Sequence, residues 1–368
     1  MLLLVYLFLV SIQLMGSSLR LLGKGFAGSM LRLTSNPFVG LFIGILATSI
    51  VQSSSAVTSM VVVAAHAGTV TIPGAVPIVM GANIGTSVTN LLVSFSLITR
   101  AAEYRRGFAG AVVHDLFNIC SVAVLFPLEL ATGILRRVAT ASTSLLARAG
   151  GLKFTGVIEA AVKPASGAIV KAWTDLVGPE HKAAGVVLVV LSLLLLFSAL
   201  FLITRVMRAA VLIRVERFLK RYLFRNAAVA FLFGMVLTAI VQSSSVTTSA
   251  VVPLVGAGLL TIRDIYPYTL GANIGTTITA MLAALAEAGK QAGIRMVAGP
   301  AGVTVALCHL FFNVAGTIIF YPLRIIPISV AERLAEIAAA RRVFGLLYVV
   351  VVFFIIPGLM ILLSKLLG

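Results

Sequence analysis

Residues 48–59 read TSIVQSSSAVTS and residues 81–89 read GANIGTSVT; residues 238–249 read TAIVQSSSVTTS and residues 271–279 read GANIGTTIT. The offset is 190 residues throughout, and about 23 of 43 positions are identical between 48–90 and 238–280 without a gap. An ungapped match of that length is an internal repeat and decides how the rest of the chain is read. Outward from it, Asn36 and Gly44 align with Asn226 and Gly234 at the same offset. Near 287–294 the second copy gains about five residues, and the offset becomes 195. His114, Phe117, Asn118, Pro127 and Leu128 then recur as His309, Phe312, Asn313, Pro322 and Leu323. The pattern predicts two homologous halves, 1–140 and 184–330, with an insert at 141–183 and a further segment at 331–368.

Composition places most of this chain in lipid. Hydrophobic residues make up 60%, charged residues 11%, and the mean hydropathy is +1.13, against about 25% charged residues in a soluble domain. The net charge of +17 lies between the apolar runs and not in one patch. That distribution argues against nucleic acid and for loops facing anionic headgroups of the bilayer. Cys120 and Cys308 both sit in apolar runs and have neither disulfide-framework nor metal-site spacing. The apolar start at 1–15 has no basic residue ahead of it and aligns with 191–205, so it reads as a retained membrane helix and not a cleaved leader.

Runs near 18 apolar residues or longer are candidate spans. They fall at 1–22, 73–97, 108–135, 184–204, 265–286, 297–323 and 344–366. The runs on either side of QSSS, within 36–66 and 226–256, are half as long, which predicts re-entrant hairpins. The spans 73–97 and 265–286 carry GANIG in their middle and are expected to be broken there. Residues 136–183 have soluble character and predict short amphipathic helices on the membrane surface, and 205–225 predicts a basic interfacial helix. Three full spans separate the hairpins, so the second enters from the opposite face. The expected fold is an all-α polytopic membrane protein of two inverted-topology repeats, each with a re-entrant hairpin and a broken transmembrane helix. The short loops 100–106, 205–225 and 324–342 are rich in arginine, which puts them and the N-terminus in the cytoplasm and the insert outside.

The polar breaks suggest what the halves do. A hairpin tip presents free N–H groups and the positive end of a helix dipole, which is an anion site. Ser53, Ser54, Ser55 and their counterparts Ser243, Ser244, Ser245 add hydroxyl donors. Two opposed tips would offer six hydroxyls and six amides to one small tetrahedral anion. No Lys or Arg lies in the hairpins or broken spans, so cations have to accompany a divalent anion. Gln52, Gln242, Thr58, Asn83, Thr86, Thr248, Asn273 and Thr276, with carbonyls freed at the breaks, are hard oxygen ligands suited to Na⁺, and no transition metal or organic cofactor is implied. Small residues in membrane helices often serve packing alone. Duplication of both QSSS and GANIG favours binding. His114 and His309 each precede an Asn by four residues and share a helix face with it, as in a packing pair. Asp115, whose copy is Leu310, reads as a polar interface contact. A serine nucleophile lacks the Gly-x-Ser-x-Gly turn, so no enzyme is expected.

The stretches QSSSAVTS, PIVMGANIGTSVTN, FAGAVVHDLFN and PLELATG in the first half, with QSSSVTTS and LGANIGTTITA in the second, closely resemble the type II sodium–phosphate cotransporter family. The resemblance runs over about 35–133 and 226–323. It implies Na⁺-coupled inward movement of inorganic phosphate, with the sites built around 52–55 and 242–245. Animal members carry a cysteine-bonded extracellular loop between the halves; the insert here has no cysteine. The spans at 1–22, 184–204 and 344–366 are expected to form a scaffold and a homodimer interface. A Na⁺ symporter for another oxyanion or a carboxylate, and a passive anion channel, are the alternatives.

Overall fold

A computed structural model describes residues 2–22, 31–148, 153–177, 185–200, 202, 226–288 and 301–367 of the chain. The described residues are almost entirely helical, with no strand. The helices are α1 (Leu2–Leu21), α2 (Pro37–Val51), α3 (Ser54–His66), α4 (Ile72–Gly85), α5 (Ser87–Ser94), α6 (Ala101–Thr132), α7 (Ile134–Arg148) and α8 (Lys153–Val177). They continue with α9 (Gly185–Leu200), α10 (Ala227–Val241), α11 (Ser244–Gly256), α12 (Ile262–Ala288), α13 (Ala301–Phe320) and α14 (Ile325–Ala340). The last helical stretch is α15 (Arg342–Val350), a π turn (Val351–Ile355) and α16 (Ile356–Leu367). This is an all-α multi-pass membrane protein. The basic helix expected at 205–225 lies outside the described residues.

The ends of α2 follow from its sequence. The Asn36 side chain accepts from the Phe38 and Val39 amides, and Pro37 opens the first turn, where its missing N–H is not needed. At the other end Gln52 turns left-handed, and Ser53 caps α3 through the Ala56 amide. The second half repeats the caps and the left-handed turn with Asn226, Gln242 and Ser243, but Ala227 stands where Pro37 opens α2. With 15 and 13 residues, each pair of arms is about 20 Å long per arm, short of the ~30 Å hydrocarbon core.

The 32-residue α6 gives a ruler across the molecule. Phe38, at the start of α2, meets Phe126 near the C-terminal end of α6, ring centroids 5.2 Å apart. Gly256, at the end of α11, accepts from Arg106 Nε (2.9 Å) near the N-terminal end of α6. The two QSSS segments therefore approach from opposite ends of α6. The halves also exchange partners: α3 packs on α12 and α13, while α11 packs on α5 and α6.

The GANIG segments depart from expectation. In α12, residues 271–275 are helical throughout, and α4 continues through Gly85 to a step at Thr86 whose own backbone is helical. The second span is unbroken at GANIG, while the first is divided at Thr86, one residue past it, into α4 and α5. The polar side chains turn back on their own helix: Asn83 Nδ2 donates to Val79 O (3.0 Å), Thr86 Oγ1 to Ala82 O (3.0 Å) and Thr276 Oγ1 to Ala272 O (2.9 Å). The glycines serve close approach. A Cβ on Gly81 would strike the carbonyl oxygen of Leu41, and one on Gly44 that of Ile78. Gly271 and Gly234 stand in the same relation to Phe231 and Tyr268. Thus α2 lies backbone-to-backbone on α4, and α10 on α12, the small-residue packing of membrane helices.

Other boundaries shift as well. The helix expected at 108–135 begins at Ala101, so the basic loop forms its first turn. The insert packs into the molecule and does not only lie on its surface. Thr143 Oγ1 meets Thr304 Oγ1 (3.1 Å), and Ser166 Oγ donates to Gln13 Oε1 (2.9 Å), both in buried surroundings. The boundary at 140 falls inside α7, which is anchored by Glu129: its carboxylate accepts from Leu135 N (2.8 Å) and Arg136 Nε (2.6 Å).

Candidate functional site

The tips are built from the same residues twice. Gln52 and Gln242 have φ of 58° and 59°, the only positive values outside glycine among the described residues. Such a conformation costs about 1–2 kcal/mol for an L-residue. Each glutamine is held there by both ends of its amide. Gln52 Nε2 donates to Ser49 O (2.5 Å), and Gln52 Oε1 accepts from Thr89 Oγ1 (2.8 Å). Gln242 Nε2 donates to Ala239 O (2.8 Å), and its Oε1 accepts from Thr279 Oγ1 (2.9 Å).

This clamp separates backbone strain from side-chain function. Gln52→Gly removes the strain together with both hydrogen bonds; Gln52→Ala keeps the strain. Thermal unfolding in detergent is expected to rank wild type above Gln52→Gly, and Gln52→Gly above Gln52→Ala by about 1 kcal/mol. A reversed order of the two variants would show that the left-handed turn does not persist.

Past the glutamines, Ser53 and Ser243 accept from Ala56 N (3.2 Å) and Val246 N (3.4 Å). Ser54, Ser55, Ser244 and Ser245 are buried. The tips touch: Ser55 Oγ donates to the Gln242 carbonyl (3.1 Å). Among the described residues Ser245 makes no reciprocal bond to Gln52, so the contact is one-sided. With Ser55 engaged, the expected set of twelve free donors is reduced. The Ser54 and Ser244 hydroxyls make no hydrogen bond among the described residues, and the first-turn amides of α3 and α11 have no intrahelical acceptor.

The other candidate ligands form two groups. Thr58 and Thr248 lie one turn beyond the tips. Thr58 Oγ1 donates to Ser54 O (2.8 Å); Thr248 Oγ1 reaches Ser244 O (2.7 Å) and Asn90 Oδ1 of the other half (3.0 Å). Asn83 and Asn273 sit in a buried network joining the halves. His114 Nε2 meets Asn273 Oδ1 (2.7 Å), and His309 Nε2 meets Asn83 Oδ1 (3.3 Å). Asn118 bridges the two, donating to Asn83 O (3.1 Å) and accepting from Asn273 Nδ2 (2.9 Å). Because the Asn273 nitrogen is committed to Asn118, its oxygen faces His114. Nε2 of that ring then carries the proton, and Nδ1 accepts from Ser87 Oγ (3.0 Å). The histidine rings thus bond to asparagines of the other half, while within one helix Asn313 Nδ2 also donates to the His309 carbonyl (3.0 Å). Of the GANIG carbonyls, that of Asn83 accepts from Asn118, and Thr86 and Thr276 donate into their own helices.

Several residues escaped the sequence reading. Thr89 and Thr279 hold the glutamines, and their 190-residue spacing was a usable signal. Asn90 and Ser87 had none, since their partners lie on other elements. Asp115 is fully buried; the Tyr348 hydroxyl donates to its Oδ2, and Oδ1 has no hydrogen-bond partner among the described residues. That partner lies 233 positions away, in the last helical stretch, beyond reach of any local pattern.

These features define a class: a helical, multi-pass membrane protein whose duplicated polar tips meet inside the molecule. The family model for the Na+/Pi-cotransporter matches residues 7–150 and 193–353, and the chain belongs to that family. It is 33% identical over 440 residues to the sodium-dependent phosphate transport protein 2B of Pongo abelii and of Homo sapiens, covering 96% of this chain and 63% of the relative. It is also 33% identical over 423 residues to sodium-dependent phosphate transport protein 2A of Rattus norvegicus, covering 96% of this chain and 65% of the relative. The chain thus spans a little under two thirds of the length of these relatives. No solved structure matches it.

Proposed function

We propose that this chain is a secondary active transporter of the cell membrane that carries inorganic phosphate inward with Na⁺ by alternating access. The observation that carries the reading is the pair of QSSS tips, approaching from opposite ends of α6 and joined by Ser55 and Gln242, in a chain whose relatives are named for sodium-dependent phosphate transport. Phosphate is held by the first-turn amides and by Ser53, Ser54, Ser55, Ser243, Ser244 and Ser245. Helix-end dipoles and hydroxyls stabilise it, but they carry no full positive charge. Na⁺ bound to oxygens of Gln52, Gln242, Thr58, Thr248 and the Asn83–Asn273 network supplies that charge. Anion affinity then depends on the cation, which is the thermodynamic basis of symport.

In this reading the halves are inverted repeats with re-entrant hairpins, and the protein is a carrier and not an enzyme, needing no cofactor beyond the coupling ion. The last span, whose most apolar window is only 17% buried in the molecule, faces lipid or a second copy in a homodimer. The test is uptake of radiolabelled phosphate into proteoliposomes under an inward Na⁺ gradient, with K⁺ as control. Accumulation above equilibrium with Na⁺ alone is expected. Equilibration independent of the gradient would identify a passive channel, and Na⁺-driven uptake of a different anion would reassign the substrate.

A further inference from the structure

A cavity of about 570 Å³ opens where α10, α12 and α13 end on the face of α14. Arg263, Arg324, Tyr321 and Ser329 give it its polar lining, and Ile325 and Ile328 part of its apolar wall. The Arg324 guanidinium lies over the Tyr321 ring, 5.3 Å from its centroid. Among the described residues no acidic side chain lines the cavity and neither arginine is in an ion pair.

The repeat shows how the residues at this place differ between the halves. In the first half the corresponding end of the span holds the Phe38–Phe126 ring pair. Tyr321 matches Phe126 at the 195-residue offset, but Phe38 is matched by Ala228 at 190, so one of the two rings is missing. At the same offsets Arg263 replaces Pro73 and Arg324 replaces Glu129. Three differences therefore converge on one place: a ring is lost, an acid becomes a base, and a second base is added.

The surroundings indicate the ligand. Leu323, Ile325 and Ile326, flanking Arg324 in sequence, are 46%, 70% and 45% exposed. In a membrane protein such side chains meet acyl chains. Two guanidiniums directly beside them, at the end of a span, lie at the level of the headgroups. Arginine binds phosphate through paired N–H donors, and its stacking on Tyr321 fixes its plane. We propose that this cavity binds the phosphate group of an anionic phospholipid, at a site separate from the QSSS tips.

The experiment is native mass spectrometry of the purified full chain in detergent, titrated with phosphatidylglycerol and, separately, phosphatidylcholine. Wild type is expected to retain phosphatidylglycerol preferentially. Arg263→Gln with Arg324→Gln is expected to weaken that binding by at least about tenfold. Ala228→Phe, which restores the missing ring and keeps both charges, is expected to weaken it as well, and gives a readout even where the double variant folds poorly. Equal retention by wild type and Ala228→Phe would overturn the proposal. Displacement of the lipid by millimolar inorganic phosphate with the same arginine dependence would assign the site to the free anion and overturn the lipid.

Discussion

Replacing Ser54 and Ser244 together by alanine is expected to lower phosphate uptake at least about a hundredfold at low phosphate while leaving the protein folded. The reason lies in what each serine does for the structure. Ser53 and Ser243 cap their helices, and alanine there costs about 1 kcal/mol of stability each. Ser55 holds the two tips together through Gln242. Ser54 and Ser244 are buried residues at the first turns of α3 and α11, and their hydroxyls make no hydrogen bond within the described protein. Removing them takes nothing from the fold. In the proposed complex each donates to an anion, a charge-assisted bond of about 1.5–3 kcal/mol. Two such losses correspond to a factor of a hundred or more in affinity. The check is phosphate-dependent uptake in proteoliposomes beside the melting temperature of the same preparation. Unchanged uptake in a well-folded double variant would remove the tips from the anion site.

Alanine at Gly81 is expected to do the opposite, lowering stability first. Its Cβ would strike the Leu41 carbonyl oxygen, a backbone atom that no rotamer change can move. Relief requires α2 to shift away from α4, and overpacking of this kind costs about 1–3 kcal/mol or more. Gly271→Ala should behave alike against Phe231. Gly40→Ala is the control on the same interface, since its Cβ would find its nearest neighbours at 3.4 Å. Thermal unfolding should separate Gly81→Ala from Gly40→Ala clearly. A Gly81→Ala protein as stable as wild type but inactive in uptake would restore the alternative, in which GANIG unwinds to bind an ion.

That contrast marks how far the sequence reached. Duplication of TSIVQSSS and GANIG at one constant offset, with the runs of apolar residues around them, determined the helical membrane class, the two halves and the short arms at 36–66 and 226–256. Those are consequences of local chemistry. An arm of 15 residues cannot span hydrocarbon, an Asn before Pro starts a helix, and a polar QSSS between apolar runs interrupts one. Thr89 and Thr279 were equally legible, because their spacing copies that of the glutamines they hold.

Tertiary structure decided the rest. The polarity and glycine content of GANIG are compatible with a break in isolation. Packing keeps residues 81–85 and 271–275 helical, because the glycines let α2 and α10 approach and the side chains of Asn83, Thr86 and Thr276 bond back to their own turns. The pairing of the His114 ring with Asn273 and of the His309 ring with Asn83 depends on the halves interlocking, whereas the bond from Asn313 to the His309 carbonyl is local and was legible in the four-residue spacing. Asp115 meets Tyr348 only because the last helical stretch returns beside α6. A repeat in the sequence records which residues are equivalent. Which of them touch is set by how two copies of one surface fit together, and that fit is written in no local pattern.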